Sequence, residues 1–168
     1  EGADGYTASI QENSNIQEAG TQEGMLVGGM GTIVENEGGA IHFINTVDTG
    51  SLSIQKTVTG LENRNDDEFT FEVKLTGKDD QPLTGSYSYT KGAVADEAAE
   101  PEVRELTLEE GKGTITLKDG QIVTIPDLPV GTKYAVEEMS HDGYTANSPV
   151  NASGIIQKKD IIVMVSYV

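Results

Sequence analysis

The chain has no cysteine, only two histidines (His42 and His141), and 11 lysines and arginines against 28 acidic residues in 168. Without cysteine there is no disulfide framework, so the fold is held by something else. Two histidines far apart in sequence exclude a histidine-rich metal site. A formal net charge of −17 argues against nucleic acid and anionic membranes as partners and keeps the molecules soluble and apart. No stretch approaches the roughly 20 apolar residues of a membrane span, and neither a signal peptide nor a sorting signal is present. The expectation is the interior of a longer protein, with no membrane insertion in this segment.

Helical periodicity is missing as well, since no ten-residue segment repeats its apolar residues at 3.6. Gly28-Gly29-Met30-Gly31 and Gly111-Lys112-Gly113-Thr114 lack the spacing of a phosphate loop. The acidic run Asn63–Glu68 lacks the glycine and the distal glutamate of a calcium loop. With no triad, metal cluster or cofactor loop, no cofactor is expected, and the chain is not an enzyme in the turnover sense. Any reaction here happens once per molecule.

What is present is period-two alternation. From Ser51 onward, strands are predicted at Leu52–Thr59, Glu68–Thr76, Ser86–Thr90, Val103–Leu108, Gly113–Lys118, Ile122–Ile125, Lys133–Met139 and Asp160–Val168. Gly, Asp and Pro punctuate them, as in Lys118-Asp119-Gly120. Many short strands at this spacing predict an all-β sandwich, with Gly92–Glu102 as an exposed loop.

An internal repeat divides the chain. Asp4-Gly5-Tyr6-Thr7-Ala8 recurs as Asp142-Gly143-Tyr144-Thr145-Ala146, and Ile41-His42-Phe43-Ile44-Asn45 matches Val165-Ser166-Tyr167-Val168 with the next position open. Residues 1–45 therefore read as the C-terminal strands of a preceding repeat, 46–50 as a linker and 51–168 as the next domain.

Two charged residues break the alternation from within. Lys56 shares its parity with Leu52, Ile54 and Val58, and Glu138 shares its parity with Tyr134 and Val136, while Glu137 takes the other face. Residues two apart in a strand point the same way, so a lysine and a glutamate both aim at the core. Lys74 and Lys118 are the internal controls, each alternating with its strand's apolar residues. Unpaired buried charges cost several kcal/mol each. Either the two pair as a partly buried salt bridge with the lysine snorkelling to an edge, or chemistry consumes the lysine.

Lys56-Thr57-Val58-Thr59-Gly60, Glu68-Phe69-Thr70-Phe71-Glu72-Val73 and the run from Ile125 through Leu128-Pro129-Val130-Gly131-Thr132 to Glu138 together resemble the Gram-positive pilin isopeptide-linkage domains, relatives of the B-type repeats of collagen adhesins. The resemblance implies an immunoglobulin-like β-sandwich whose first and last strands run side by side. It also implies an autocatalytic amide bond between a lysine on the first strand and an asparagine on the last, assisted by a glutamate. Carried over by position, Lys56 is the isopeptide nucleophile, Glu138 the catalytic acid and Asn45 the acceptor of the preceding repeat. Burial favours the neutral forms of an amine and a carboxyl, and a neutral amine can attack a carboxamide. A protonated carboxyl can polarise that amide and pass a proton to the departing ammonia. A covalent tie between terminal strands would restrict the unfolded chain as a disulfide does, in keeping with the missing cysteines.

The function so implied is a structural shaft or stalk domain of an extracellular, cell-wall-attached protein, a pilus subunit or adhesin. Its partners would be neighbouring repeats. The alternative is an adhesin module that recognises a host protein or glycan through its loops, for which Tyr87 with Tyr89 is the local aromatic candidate. Residues 1–45 present strand edges that could be exchanged onto a second copy; closure of the domain by its own residues 139–168 is the expected arrangement.

Overall fold

The computed structural model describes residues 5–10, 16–22, 25–31, 43–60, 66–95 and 100–168. His42, Asp4 and residues 63–65 of the acidic run lie outside the described residues, as do 96–99 of the predicted loop. The chain forms two compact units, Glu1–Asp48 and Thr49–Val168.

In the first unit β1 (Tyr6–Ile10) pairs antiparallel with β4 (Phe43–Val47), with Ala8 opposite Asn45. Strands β2 (Ile16–Gln22) and β3 (Met25–Gly31) form a second antiparallel pair. The ribbon β1–β4 buries little, since only Ile10 is enclosed, with Ala8 packed against it.

The second unit is a sandwich of two sheets. One has the order β13 (Ile162–Tyr167), β5 (Thr49–Lys56), β10 (Gln121–Pro129), β7 (Gly85–Ala93) and β8 (Glu102–Leu108). The other runs β12 (Ser153–Ile155), β11 (Lys133–Glu138), β6 (Phe69–Thr76) and β9 (Lys112–Leu117). The inward parities of these strands, among them Leu52, Ile54, Phe69, Phe71, Val73, Ile115, Leu117, Val123 and Val165, form one core. The architecture is all-β and immunoglobulin-like. First and last strands are neighbours: β13 lies parallel to β5, with Val165 opposite Ile54 and Tyr167 opposite Lys56. The domain is thus closed by its own final strand.

Several boundaries differ from the sequence reading. Thr46 and Val47 belong to β4 and Thr49 and Gly50 to β5, so Asp48 alone stands where 46–50 was read as a linker. Gly50 is glycine for packing rather than turning: a Cβ there would lie 2.8 Å from Ile156 Cγ2 and 2.9 Å from the Ile161 carbonyl oxygen. Strand β10 runs on to Pro129 past the predicted end at Ile125, by means of a bulge between Ile125 and Leu128. That bulge, with Asp127 at φ 57°, absorbs Pro126 beyond the last pair with β7 at Thr124. Strand β12 was not foreseen, because three residues are too few to show alternation.

Candidate functional site: a buried lysine–glutamate pair

Lys56 closes β5 at the end where the chain must turn. Its carbonyl accepts from Gly120 N (3.0 Å), Thr57 N donates to the Tyr167 carbonyl (2.9 Å), and Val58 N donates to Asp119 Oδ1 (2.7 Å). These bonds hold the backbone while the β parity turns the side chain inward. Glu138 ends β11 in the opposite sheet, opposite Phe71 of β6. Lys56 Nζ lies 2.9 Å from Glu138 Oε1 and donates to Oε2 at 3.2 Å, and the two side chains are only 5% and 6% exposed. Glu137 is exposed. Of the two lysines used as controls, Lys74 is exposed and Lys118 is half-buried, with Asp66 Oδ1 3.3 Å from its Nζ.

The pair is walled by aromatic rings. Lys56 Nζ sits 4.6 Å from the centroid of Phe69, a cation–π arrangement that strengthens as water is excluded. Phe69 in turn meets His141 (4.9 Å) and Tyr144 (5.0 Å, edge-on), and Tyr144 Oη donates to Asp67 Oδ2 at 2.5 Å. On the other side Tyr167, the β13 residue opposite Lys56, reaches across the core and donates to the Val136 carbonyl (2.5 Å), with Phe71 edge-on at 5.1 Å. Lys56 to Glu138 and Tyr167 to Val136 are therefore two adjacent struts between the sheets. Burial, with the charges of Glu138 and Glu137 adding to it, pushes the Tyr167 hydroxyl up to about 12, against a smaller opposing effect of the backbone hydrogen bond at Glu138. A groove of about 680 Å³ opens beside Glu138, lined by Glu72, Glu137, His141 and Tyr144 among others.

Asn45 stands in the first unit, exposed on β4 opposite Ala8. Tyr89 is in the core and Tyr87 packs against it, so the pair does not make the exposed aromatic patch expected of a ligand-binding face. A second inward lysine was missed. Lys91 shares its parity with Tyr87 and Tyr89 on β7, and its Nζ donates to the Thr116 carbonyl of the other sheet at 2.8 Å. Burial, then the neighbouring Arg104, lowers its pKa from the ordinary 10.5, while Glu68 and Glu102 pull the other way. The signal was available: a strand read as ending at Thr90 stopped one residue short of it. Tyr144 was flagged by the repeated Asp-Gly-Tyr-Thr-Ala, although its role as a wall of the site was not.

A sandwich closed by a parallel first and last strand, with a lysine and a glutamate buried between its sheets, defines a Gram-positive pilin-type domain, and comparison with known proteins agrees. Residues 50–167 match the family described as domain of unknown function DUF7601, and the chain belongs to that family. It is similar to the pilus tip adhesin Cpa of Streptococcus pyogenes, 36% identical over 96 residues, which are 57% of this chain and 12% of that protein. It is also similar to a pilin of S. pyogenes serotype M1, 31% identical over 118 residues, 66% of this chain and 32% of the pilin. The chain thus spans a minor part of the curated relatives it matches. Among solved structures, the pilus-presented adhesin Cpa superimposes with TM-score 0.55 at 26% identity, over 73% of this chain and 27% of the adhesin. The major pilin from S. pyogenes shares the fold, with TM-score 0.59 at 21% identity over 98% of this chain and 64% of the pilin. These relatives are structural proteins, not enzymes.

Proposed function

We propose that this chain is a structural segment of an extracellular, cell-wall-attached pilus subunit or adhesin stalk, of the kind locked by an autocatalytic Lys–Asn isopeptide bond. The observation that carries this reading is the Lys56–Glu138 pair, buried where β5 and β13 run parallel. Lys56 Nζ passes a proton to the Glu138 carboxylate within the pair and becomes a neutral nucleophile. Its nitrogen bonds to the carboxamide carbon of the acceptor while protonated Glu138 hydrogen-bonds the carboxamide oxygen. The C–NH2 bond then breaks, and the protons go to the leaving ammonia. Amine and primary amide become secondary amide and ammonia, with no oxidant or cofactor. Fixed orientation in a core offers roughly 7–11 kcal/mol over a bimolecular encounter.

The acceptor on this reading is the residue that follows Val168. Val165 and Tyr167 face inward on β13, so the next inward position is that residue, and by analogy with the internal repeat, in which Asn45 follows Ile44, asparagine is the residue expected there. Residues 1–45 are then the last strands of a preceding repeat, Asn45 its acceptor, and the partners of the domain are neighbouring repeats. Force along such a chain meets a covalent bond between the terminal strands before it can peel the sheets.

Intact-mass measurement of the longer natural protein tests this. The domain is expected to weigh less than its sequence by one ammonia, and Lys56→Ala or Glu138→Ala to restore the full mass. A wild-type protein of full mass overturns the bond and leaves a buried salt bridge.

A further inference from the structure

The repeated Asp-Gly-Tyr-Thr-Ala motif has a use in the second unit. His141 to Tyr144 is a tight turn in which Tyr144 N donates to the His141 carbonyl (3.2 Å) and Gly143, at φ 84°, takes the left-handed position. Gly5, its counterpart in the first copy, has φ 87°. In both copies the glycine makes a bend that a side chain would resist, and a tyrosine follows it. The segment leading to the second turn is tied to β6, since Met139 N donates to the Thr70 carbonyl (2.9 Å).

Tyr144 grips the start of β6 twice. Its hydroxyl donates to Asp67 Oδ2 just ahead of the strand, and its ring meets Phe69 edge-on, 5.0 Å away at 81°. Phe69 is fully buried, and Lys56 Nζ sits over its ring. His141 packs against both rings, 4.9 Å from Phe69 and 5.0 Å from Tyr144. Asp67, Tyr144, Phe69 and Lys56 thus form one chain of contacts that ends at the buried pair. Tyr144 and His141 also line the groove beside Glu138, the opening from which water can approach the pair.

We propose that Tyr144 is a positioning residue of the Lys56–Glu138 site: latched to Asp67, it pins the Phe69 ring against Lys56 and screens the pair from the water of the groove. A cation over a ring and an ion pair both strengthen as water is excluded, so Lys56 is held toward Glu138. An amine held in one orientation meets an acceptor without a search, which is how intramolecular reactions gain rate. For that reaction the assignment rests on the bond-forming reading of Lys56; for water access it rests on the contacts alone.

Labelling of the full chain with acetic anhydride, read lysine by lysine from peptide masses, tests the access. Lys56 is expected to be protected in wild type and to label about ten-fold faster in Tyr144→Ala. Tyr144→Phe, which keeps the ring and loses the latch, should fall between. Leu108→Ala controls for lost stability as such: Leu108 is a core residue at the other end of the sandwich, paired with Gly85 at the start of β7, and Lys56 should stay protected in that variant. In the longer natural protein, intact mass followed during refolding should show ammonia lost about ten-fold more slowly in Tyr144→Ala than in wild type or Leu108→Ala. Lys56 labelling in Tyr144→Ala no faster than in wild type or in Leu108→Ala would overturn the proposal, and so would an unchanged rate of ammonia loss. Should Tyr144→Ala fail to fold, Tyr144→Phe decides, and protection equal to wild type overturns it. A wild-type protein that never loses ammonia refutes the bond, and the labelling then decides the role of Tyr144 by itself.

Discussion

Lys56 and Lys91 are both inward-facing lysines at the same end of the sandwich, and they are satisfied in opposite ways. Lys56 spans the sheets to a carboxylate and lies over an aromatic ring. Lys91 spans them to a single backbone carbonyl. A charge facing a charge is a pair whose members depend on each other, and removing either strands the other in the core. A charge facing a carbonyl is a desolvated group with partial compensation, and burial acts on it directly, as its lowered pKa records. Only the first arrangement contains a base for the amine's proton, so a lysine's burial alone does not mark a reactive site.

The largest effect that separates the two should come from breaking the Lys56 pair. Glu138→Ala or Lys56→Met is expected to cost about 3–5 kcal/mol in denaturant unfolding, because each leaves a buried charge unpaired. The double variant Lys56→Met/Glu138→Leu should recover most of that, and a double-mutant cycle gives the coupling directly. If the single and double variants cost the same, the pair is not a unit.

Tyr167→Phe is expected to cost about 1 kcal/mol through loss of the bond to the Val136 carbonyl. It should also change the alkaline limb of stability. With its hydroxyl raised from 10.0 to about 12, the folded chain keeps a proton that the unfolded chain loses between those values, so stability falls as pH rises through that window. Unfolding followed from pH 9 to 12 should show the fall in wild type and a shallower one in the variant.

Lys91→Met should be the mildest, within about 1 kcal/mol of wild type near neutral pH, since it trades one hydrogen bond for the relief of a desolvated ammonium. Its signature is again in pH. A folded pKa below 10.5 means that the unfolded chain binds more protons just under that value, so stability contributed by Lys91 rises with pH there. Lys91→Met should erase that rise; a destabilisation as large as that of Lys56→Met would remove the distinction between the two lysines.

The readable part of the site was the part that parity controls. Lys56 and Glu138 stood on the apolar register of their strands, and Glu137 did not, so the inward pair followed from period two alone. Lys91 obeyed the same rule and was lost only because its strand was read as ending at Thr90. Gly50 looked like linker and is strand, since a glycine chosen for close approach to Ile156 and Ile161 has the same letter as one chosen for a turn. Tyr144 and Tyr167 show the limit of local reading: the first was visible as a repeated motif and the second as an alternating residue, but neither pattern says which ring meets Phe69 and which hydroxyl reaches Val136.

By itself the sequence determined the strands, the faces they present and the identity of the two charges that turn inward, because side-chain alternation is a property of the extended backbone and needs no partner. Which strands become neighbours, and that β13 lies parallel to β5 so that Tyr167 sits opposite Lys56, were decided only by tertiary structure. Those are relations between segments far apart in the chain, set by how two sheets bury one core, and no single segment carries them.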